Sequence, residues 1–421
     1  MKKLIQSILF STVIMLQFSS CLKDVGTKQY KVYTPIIESM SSLKAKVKST
    51  SPISVTNAGK LFVIGNYVLL NEREKGIHVI DNADPSNPIN KAFIVIPGNT
   101  DLFVKGNTLY ANCYTDLLAI DISNYTAINT TNSINDIFSD IRFINGYSTT
   151  TGNAIVGWSV RDTFLHVDIA EGQGIWNNGK YISSSWPGGG IFSLGGGATT
   201  AISATGKAGS MSRFAVVNNY LYAVSNSKLF SVDVSNTAQP VVVSNKNIGW
   251  NIETIYPFKD KLFIGSQTGM SIFSLTNAAQ PTYISGFDHA RLCDPVIADD
   301  NYAYLTLHSS ADVCVGTQNE LNVLKISNIL SPVLVKRINL TKPKGLSKDG
   351  NLLLVCDDDA GIKVFDVTNP ENPILKQTIV LAASYDVICN NGIALVSAKD
   401  GLHQYNYSNP NAVVKLSSFV Y

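Results

Sequence analysis

The sequence predicts an all-β protein folded as a β-propeller, because one segment recurs along the chain and its spacing has the length of a propeller blade. The segment GIHVIDNADPSNP at 76–88 returns almost unchanged as GIKVFDVTNPENP at 361–373. Apolar side chains occupy both alternating sets of positions in its first half, which indicates a strand covered on both faces. The Asx and Pro residues that follow predict that this strand ends in a tight turn.

The repeat occurs eight times when the end of this strand is taken as its marker. The markers are Asp81, Asp121, Asp168, Asp233, Ser274, Lys325, Asp366 and Asn406. Successive markers are 40, 47, 65, 41, 51, 41 and 40 residues apart, and a period near 40 is typical of propellers. Each period holds four short strands with Gly or Asn turns between the first two, which describes an antiparallel blade. We therefore expect eight four-stranded antiparallel blades, with seven as the alternative if the third, least regular repeat is not a full blade.

Residues 1–20 are expected to form a lipoprotein signal peptide. The chain starts with MKK, and an apolar run follows from Leu4 to Phe18 that is too short for a comfortable bilayer span of ~20 residues. The residues from Phe18 to Cys21 resemble a lipobox, so Cys21 is expected to carry the acyl chains that hold the protein at a membrane. Ordinary secretion with an incidental Cys21 is the alternative. Residues 21–51 are polar and rich in Lys and Ser, which predicts a flexible tether.

The propeller domain is expected at 52–421, and a Gly-rich stretch at about 171–210 is expected to be a long excursion from the third blade. The formal charge is +2, and removal of Lys2 and Lys3 with the signal peptide leaves the charges balanced. This balance argues against a nucleic-acid partner, because phosphates favour a basic surface.

The chain resembles the LVIVD-repeat β-propeller lipoproteins of Gram-negative bacteria. The motifs that carry the resemblance are YKVYTP (30–35), NAGKLFVIGNYVLLNE (57–72), KGIHVIDNADPSNP (75–88), IPGNTDLFVKGNTLYA (96–111), CDPV (293–296) with YLTL (304–307) and CVG (314–316), and VCDDDAGIKVFD (355–366). The resemblance implies a lipid-anchored propeller at the outer membrane that faces the periplasm or the cell surface. It implies no particular activity.

The mouth of the propeller is the expected binding site. The first strand of each blade starts on the face that also carries the loops between second and third strands, so polar residues there ring one opening. The candidate mouth residues are Asp101, Asp116, His289, Arg291, Asp294, His308, Asp312, Asp357, Asp358, Asp359 and Asp386. Acid and base work by His289 and His308 beside the acidic residues is conceivable, but no nucleophile or metal motif accompanies them.

The cysteines after Cys21 are five in number, so at least one must remain unpaired or bond another chain. Cys293 and Cys314 are expected at the same end of one blade, where a disulfide is the first interpretation and separate thiols or a metal pair the second. Cys113, Cys356 and Cys389 lie in or beside apolar strands and are expected to be small core residues.

Three further features have a functional and a structural interpretation. Asp357, Asp358 and Asp359 could contribute to a Ca²⁺ site, but they lack the spaced D-x-D-x-D-G pattern, so an acidic solvated turn is favoured and no cofactor is expected. His78, His166 and His403 share one position of the third strand and are expected to be structural. Trp176 and Trp186 in the Gly-rich stretch suit contact with a sugar or a protein, or else pack on the edge of the propeller.

These features favour a non-catalytic binding module for a surface protein or a glycan, because no specific catalytic motif is present. The alternative is a glycan-active hydrolase or lyase that uses acidic residues and a histidine in the mouth, which would require two carboxylates ~5–10 Å apart in a cleft. A third interpretation, a purely structural envelope protein, predicts a mouth without convergent polar groups.

Overall fold

The computed structural model describes residues 25–144, 146–168, 175–177, 180–183, 206–289, 295–309 and 318–420. These residues form two compact units, one of residues 37–156 and 190–421 and the other of residues 1–36 and 157–189. None of the described helices is long and apolar enough to span a bilayer.

The larger unit is a seven-bladed β-propeller in which every blade has the strand order first, second, third, fourth and all neighbours are antiparallel. The strands of blades 1 to 4 are Ala58–Ile64, Tyr67–Glu72, Gly76–Asp81 and Ile89–Val95; Leu102–Lys105, Thr108–Cys113, Asp116–Asp121 and Asn129–Ile134; Phe214–Val217, Tyr220–Val224, Lys228–Asp233 and Val241–Asn247; Ile252–Phe258, Lys261–Ser266, Gly269–Ser274 and Thr282–Asp288. The strands of blades 5 to 7 are Val296–Ala298, Tyr302–Leu307, Glu320–Lys325 and Val333–Asn339; Leu346–Asp349, Leu352–Cys356, Ile362–Asp366 and Ile374–Ile379; Ser384–Asn390, Ile393–Ala398, Gly401–Asn406 and Val414–Val420.

Blade 1 has two additional strands, so its sheet has six. Lys48–Thr50 pairs with the fourth strand on the outside, and Lys207–Ala208 pairs with the first strand on the inside. A short helix, Met40–Ala45, precedes the outer addition, and Ser39 caps it by accepting a hydrogen bond from the Ser42 N–H.

The turn after each third strand explains the repeated sequence. In blade 1 the Asp81 carboxylate accepts a hydrogen bond from the Ala83 N–H at 3.1 Å, and the Asp84 carboxylate accepts one from the Ser86 N–H at 2.9 Å. These Asx turns reverse the chain together with a backbone hydrogen bond, which the Asn87 N–H donates to the Asp84 carbonyl at 2.9 Å. Blade 6 repeats the arrangement at Asp366 and Asn369, which confirms the tight turn that the sequence predicts.

The fourth strand of every blade contains one extra residue opposite the third strand, which is a β-bulge. In blade 1 Val79 faces Ala92 while Ile80 faces Asn90, so Lys91 is the extra residue. A bulge twists an edge strand and makes it a poorer template for aggregation.

The ring closes by packing of whole blades. First strands of successive blades contact each other, and the first strand of blade 7 contacts that of blade 1. An apolar cluster joins these two blades, with Leu61, Val68 and Ile80 on one side and Ile388 and Leu395 on the other. The side-chain amides of Asn82 and Gln404 also exchange two hydrogen bonds, at 3.0 and 2.6 Å.

The expected eighth blade is wrong, and the stated alternative of seven is confirmed. The marker Asp168 ends the long strand Asn153–Asp168, which belongs to a separate four-stranded sheet in the order Asn153–Asp168, Val25–Ser39, Lys180–Ser183, Ile175–Asn177. The chain between blades 2 and 3 also forms a 3-10 helix, Ser139–Arg142, and a hairpin of Phe143–Ile144 with Tyr147–Ser148. One marker residue therefore recurs outside the ring, because a strand end has the same local sequence in either sheet.

The tether expected at 21–51 also differs from the structure from Val25 onward. This stretch contains the strand Val25–Ser39, the helix Met40–Ala45 and the strand Lys48–Thr50. Although Lys and Ser dominate the composition of this stretch, four of its apolar side chains are buried: Tyr30, Val32, Met40 and Leu43. Cys21 lies outside the described residues.

Candidate functional site

The axis of the propeller is occupied by a stretch of chain that the sequence did not point to, Gly206–Arg213, named here the axial segment. Its hydrogen bonds run to first strands on different sides of the ring. The Gly209 N–H donates to the Leu61 carbonyl of blade 1 at 3.0 Å, and the Ser212 carbonyl accepts from the Ile255 N–H of blade 4 at 3.1 Å. The Ser210 hydroxyl is fully buried and accepts from the Leu346 N–H of blade 6. Because first strands line the axis, a segment bonded to several of them crosses the centre of the ring.

Two predicted mouth residues, Asp101 and Asp386, lie at the axis and contact this segment. The Asp101 carboxylate accepts from the Ser212 hydroxyl at 3.2 Å and from the Arg213 N–H at 2.5 Å. The Asp386 carboxylate accepts from the Ser210 hydroxyl at 3.3 Å. Both residues were expected to be binding groups of the mouth, but both are buried and hold the axial segment, which the sequence did not predict.

Two buried cations complete what we call the axial ion cluster: Lys60, Asp101, Arg213 and Asp386. The Lys60 ammonium lies 2.5 Å from Asp101, and the side chains of both residues are at most 4% exposed. Arg213 donates from Nη2 to the Ile252 carbonyl at 2.6 Å. Burial lowers the pKa of Lys60 and of Arg213, while Asp101 opposes the shift in both cases.

Asp386 is the least solvated member of the axial ion cluster. It is fully buried, and its Oδ2 has no hydrogen-bond partner among the described residues. Burial raises its pKa well above the ordinary value, and hydrogen bonds to its Oδ1 from the Val387 N–H and the Ser210 hydroxyl only partly oppose this. These surroundings favour the neutral form of the Asp386 carboxyl group.

The three consecutive aspartates have three separate partners, so they do not form a cation cradle. The Asp357 carboxylate accepts from the N–H groups of Thr341 and Lys342 at 2.9 and 2.8 Å. Asp358 pairs with the ammonium groups of Lys344 and Lys342 at 2.9 and 3.2 Å. The exposed Asp359 accepts from the Ala383 N–H at 3.0 Å.

No group of three His, Cys, Asp or Glu side chains among the described residues could hold a metal ion. The Asp358 carboxylate already has two ammonium groups as counter-ions. Burial alone would raise its pKa, but the hydrogen bonds and charges of Lys344 and Lys342 outweigh burial and hold the pKa below its ordinary value.

The rim of the mouth, defined by Arg73, Lys342, Lys344 and Tyr385, joins blades 1, 6 and 7. The Arg73 guanidinium lies 4.1 Å from the centre of the Tyr385 ring, and the Lys344 ammonium lies 5.8 Å from it. His308 of blade 5 lies near this rim, since burial together with the charges of Lys344 and Lys342 lowers its pKa to about 4. A neutral His308 is therefore expected at physiological pH.

Asp116 does not join this rim. Its buried carboxylate lies 2.8 Å from the Lys44 ammonium of the short helix and accepts from the Asp136 N–H at 2.9 Å. The ion pair of Asp116 with Lys44 links the helix Met40–Ala45 to blade 2. His289 follows the fourth strand of blade 4 and donates its N–H to the Thr268 carbonyl at 3.0 Å.

Several candidate residues lie outside the described residues: Arg291, Asp294, Asp312, Trp186, Cys293 and Cys314. The backbone of Trp176 belongs to the strand Ile175–Asn177 of the separate sheet, while its side chain and that of His166 lie outside the description. The proposed disulfide and the proposed tryptophan contacts thus remain predictions.

The residues expected to be structural are buried. Cys113, Cys356 and Cys389 are free and buried, and burial raises the pKa of the Cys113 thiol to about 12 and that of Cys389 to about 11. The His78 ring lies 3.3 Å from the Glu72 carboxylate, and the His403 ring lies 2.8 Å from that of Asp400.

Five segments of the chain match the LVIVD repeat, at residues 56–93, 98–136, 208–247, 313–340 and 344–380. None of the curated proteins matches the chain in sequence. The five segments fall on blades 1, 2, 3, 5 and 6, and none falls on the separate sheet.

Solved propeller structures resemble the chain in fold. The computationally designed Ika8 protein has a TM-score of 0.51 at 8% identity, with 86% of this chain and 87% of that chain covered. A protein from Lactobacillus plantarum has a TM-score of 0.50 at 10% identity, with 84% and 97% covered. BamB from Moraxella catarrhalis has a TM-score of 0.46 at 10% identity, with 89% and 97% covered. Because the identities are so low, the likenesses to Ika8 and to the Lactobacillus plantarum protein show the fold alone. With five LVIVD repeats on a closed ring of seven blades, the chain is an LVIVD-repeat β-propeller.

Proposed function

We propose that this protein is a non-catalytic interaction module that binds a protein or a glycan through the rim of the mouth. The observation that carries the proposal is the axial segment. It fills the centre of the ring below the rim, so the mouth is a floor with charged edges and not an open channel.

The mouth carboxylates that the structure describes have structural partners. A glycosidase needs one carboxylate that is free to act as an acid and a second that acts as a base or nucleophile. Asp101 is paired with Lys60, Asp358 is paired with two lysines, and Asp386 has no exposed surface. This arrangement supports binding over hydrolysis.

The rim offers features that suit recognition of a protein or a glycan. The Lys342 side chain is 45% exposed beside the Asp358 carboxylate, and the Arg73 guanidinium packs over the Tyr385 ring. Tyr385 belongs to a first strand and is 7% exposed, so its ring is a buried support that orders the Arg73 side chain and reduces the conformational freedom that this cation loses on binding.

A charge reversal at the rim tests this proposal. The mature chain and its Lys342→Glu variant would be compared for binding to an array of bacterial surface glycans and to purified outer-membrane proteins. Lys259→Glu is the matched control, because Lys259 also pairs with an aspartate but lies in the turn between the first and second strands of blade 4. We expect binding to weaken at least tenfold in Lys342→Glu and to persist in Lys259→Glu. Equal binding by all three proteins, or turnover of a glycan by the parent, would refute the proposal.

We also propose that Cys21 anchors the protein in the outer membrane, facing the periplasm or the cell surface. The short apolar run before Cys21 supports this. Cells expressing the full chain would be labelled with an alkyne analogue of palmitate. We expect label on the parent and none on Cys21→Ser, and equal labelling of both would contradict the anchor.

A further inference from the structure

A groove of about 630 Å³ separates the outer strand of blade 5 from the neighbouring blade 6. Its lining residues come from the fourth strand of blade 5 with the two residues that follow it, and from blade 6: Lys336, Arg337, Ile338, Asn339, Leu340, Thr341, Asp357, Lys363, Phe365, Pro373 and Leu375. We call it the outer 5–6 groove. It borders the rim of the mouth, since Thr341 of its lining precedes Lys342 and the Asp357 carboxylate of its lining accepts from the Lys342 N–H at 2.8 Å.

The chain itself fills the equivalent space between blades 1 and 2. Lys48–Thr50 pairs antiparallel with the fourth strand of blade 1, with Ser49 opposite Ile94. The Ser49 hydroxyl also donates to the Tyr125 carbonyl, in the turn after the third strand of blade 2, at 2.6 Å. A strand in this position is therefore held by the edge of one blade and by the turn of the next.

The bulges establish which residues of blade 5 correspond to that edge. The residue two positions before the marker at the end of the third strand is Val79 in blade 1, where it faces Ala92. In blade 5 it is Val323, which faces Lys336. The three edge residues that Lys48–Thr50 covers in blade 1, Phe93 to Val95, thus correspond to 337–339 of blade 5. All three of those blade 5 residues line the outer 5–6 groove, and no described strand pairs with this edge.

The outer 5–6 groove and the space that Lys48–Thr50 fills between blades 1 and 2 differ in charge. Lys336, Arg337 and Lys363 of the groove correspond to apolar residues of blades 1 and 2, which are Ala92, Phe93 and Leu118. The groove thus has three cations where the occupied position has none, while its remaining wall is apolar through Ile338, Phe365 and Leu375.

The acidic residues near the groove neutralise these cations only in part. Lys363 lies 3.7 Å from the buried Asp357, and Arg337 lies 3.8 Å from the largely buried Glu320. Lys336 makes no hydrogen bond or ion pair with any described residue. An occupant that brings carboxylates would complete these charges.

We propose that the outer 5–6 groove binds an extended acidic peptide segment of a partner protein, which adds as an antiparallel strand to Val333–Asn339. Backbone hydrogen bonds to the exposed edge hold the segment, as Lys48–Thr50 is held on blade 1. Lys336 and Ile338 lie on one face of Val333–Asn339, and Lys363 and Phe365 lie on one face of Ile362–Asp366. The side chains of the segment that point into the groove are therefore acidic opposite the two lysines and apolar opposite Ile338 and Phe365.

The test uses a blocked seven-residue peptide, Glu-Glu-Val-Val-Glu-Glu-Val, in which glutamate and valine alternate along each strand face, with the mature chain, measured by isothermal titration calorimetry. Three further peptides separate the contribution of charge from that of backbone hydrogen bonds. One has lysine in place of glutamate, and the other two have N-methyl groups on the odd or on the even residues, each of which removes the donors of one strand edge. The protein variants are Lys336→Glu with Lys363→Glu, and the control Lys415→Glu on the exposed fourth strand of blade 7. Circular dichroism verifies that each variant is folded.

We expect the glutamate peptide to bind, and its affinity to fall at least tenfold with the double variant, with the lysine peptide and with at least one of the two N-methylation patterns. The control variant should bind like the parent. Absence of binding, equal binding to the double variant, or equal binding of both N-methylated peptides would overturn the proposal. Equal affinity for naphthalenesulfonate in the same groove would assign it to small organic anions instead. A dimer in sedimentation that the double variant abolishes would assign it to a second copy of the chain.

Discussion

The surroundings of the Asp386 carboxyl group depend on the axial segment that crosses the centre of the ring. Its Oδ1 accepts from the Ser210 hydroxyl, and the residues lie 176 positions apart in sequence. A Cβ added to Gly209 would lie 2.0 Å from Asp386 Oδ2, and one added to Gly345 would lie 2.3 Å from Oδ1. The carboxyl group is therefore enclosed by two glycines, which exclude water and account for its raised pKa.

Replacement of this acid by its neutral isostere should make stability less dependent on pH. An acid whose pKa is higher in the folded than in the unfolded chain binds more protons when folded, so the free energy of unfolding falls as pH rises between the two values. We expect Asp386→Asn to gain stability relative to the parent as pH rises above about 4, the pKa of an aspartate in the unfolded chain, by up to about 1.4 kcal/mol per pH unit until the folded pKa is reached. Urea denaturation at several pH values measures the difference. A constant difference across this range would show that Asp386 does not titrate there.

At the scale of the element, the blade repeats one set of local devices, and these are the features that the sequence predicts best. The markers Asp81, Asp121 and Asp233 each end a third strand, as expected. Asx turns and proline turns depend on residues close together in sequence, so the sequence alone predicts them. The bulge in each fourth strand was not predicted, because it depends on register with a neighbouring strand.

Contacts between blades use tyrosines that the repeat period alone does not reveal. Tyr110 of blade 2 donates to the Thr237 carbonyl in the turn of blade 3 at 2.8 Å, and Tyr222 of blade 3 donates to the Ala278 carbonyl of blade 4 at 2.7 Å. Burial raises the pKa of both phenols, so both remain donors over the accessible pH range. Blades 2 and 3 are thus each tied to the turn of the next blade.

Tyr110→Phe is expected to reduce the free energy of unfolding by about 1 kcal/mol, because it leaves the Thr237 carbonyl without this donor. Tyr283→Phe serves as the control, since Tyr283 is 60% exposed and its hydroxyl makes no hydrogen bond with any described residue. Urea denaturation of both variants beside the parent measures the difference. Equal stability of the two variants would show that the tyrosine contact between blades contributes nothing.

At the scale of the molecule, the closure of the ring and the number of blades depend on contacts between residues far apart in sequence, which local sequence patterns do not encode. The marker Asp168 has the same sequence context as the others, yet its strand pairs outside the ring. The positions of Asp101 and Asp386 near the axis were predictable, because each lies at the start of a first strand. Lys60, Arg213 and the axial segment were not, since their contacts join distant parts of the chain and the segment lies at the end of a Gly-rich stretch without a repeat.

Gly209→Ala tests the path of the axial segment. The new methyl group would overlap Asp386, whose other oxygen is already against Gly345, so we expect a loss of about 2 to 3 kcal/mol. Gly157→Ala is the control, because the added Cβ would lie 3.7 Å from Ile36 Cδ1, which is an ordinary van der Waals contact. A thermal midpoint for Gly209→Ala equal to that of the control would mean that the backbone does not pass beside Asp386.

Hydrogen exchange of the axial segment in the full chain tests the account most directly, because the proposed binding surface at the mouth depends on an axis that the segment closes. The N–H groups of Gly209 and Arg213 donate to the Leu61 carbonyl and to the Asp101 carboxylate in the buried centre of the ring. The account predicts that both amides exchange as slowly as those of the first strands of blades 1 and 7. Exchange within seconds, as in an exposed loop, would show that the axis is open and would contradict it.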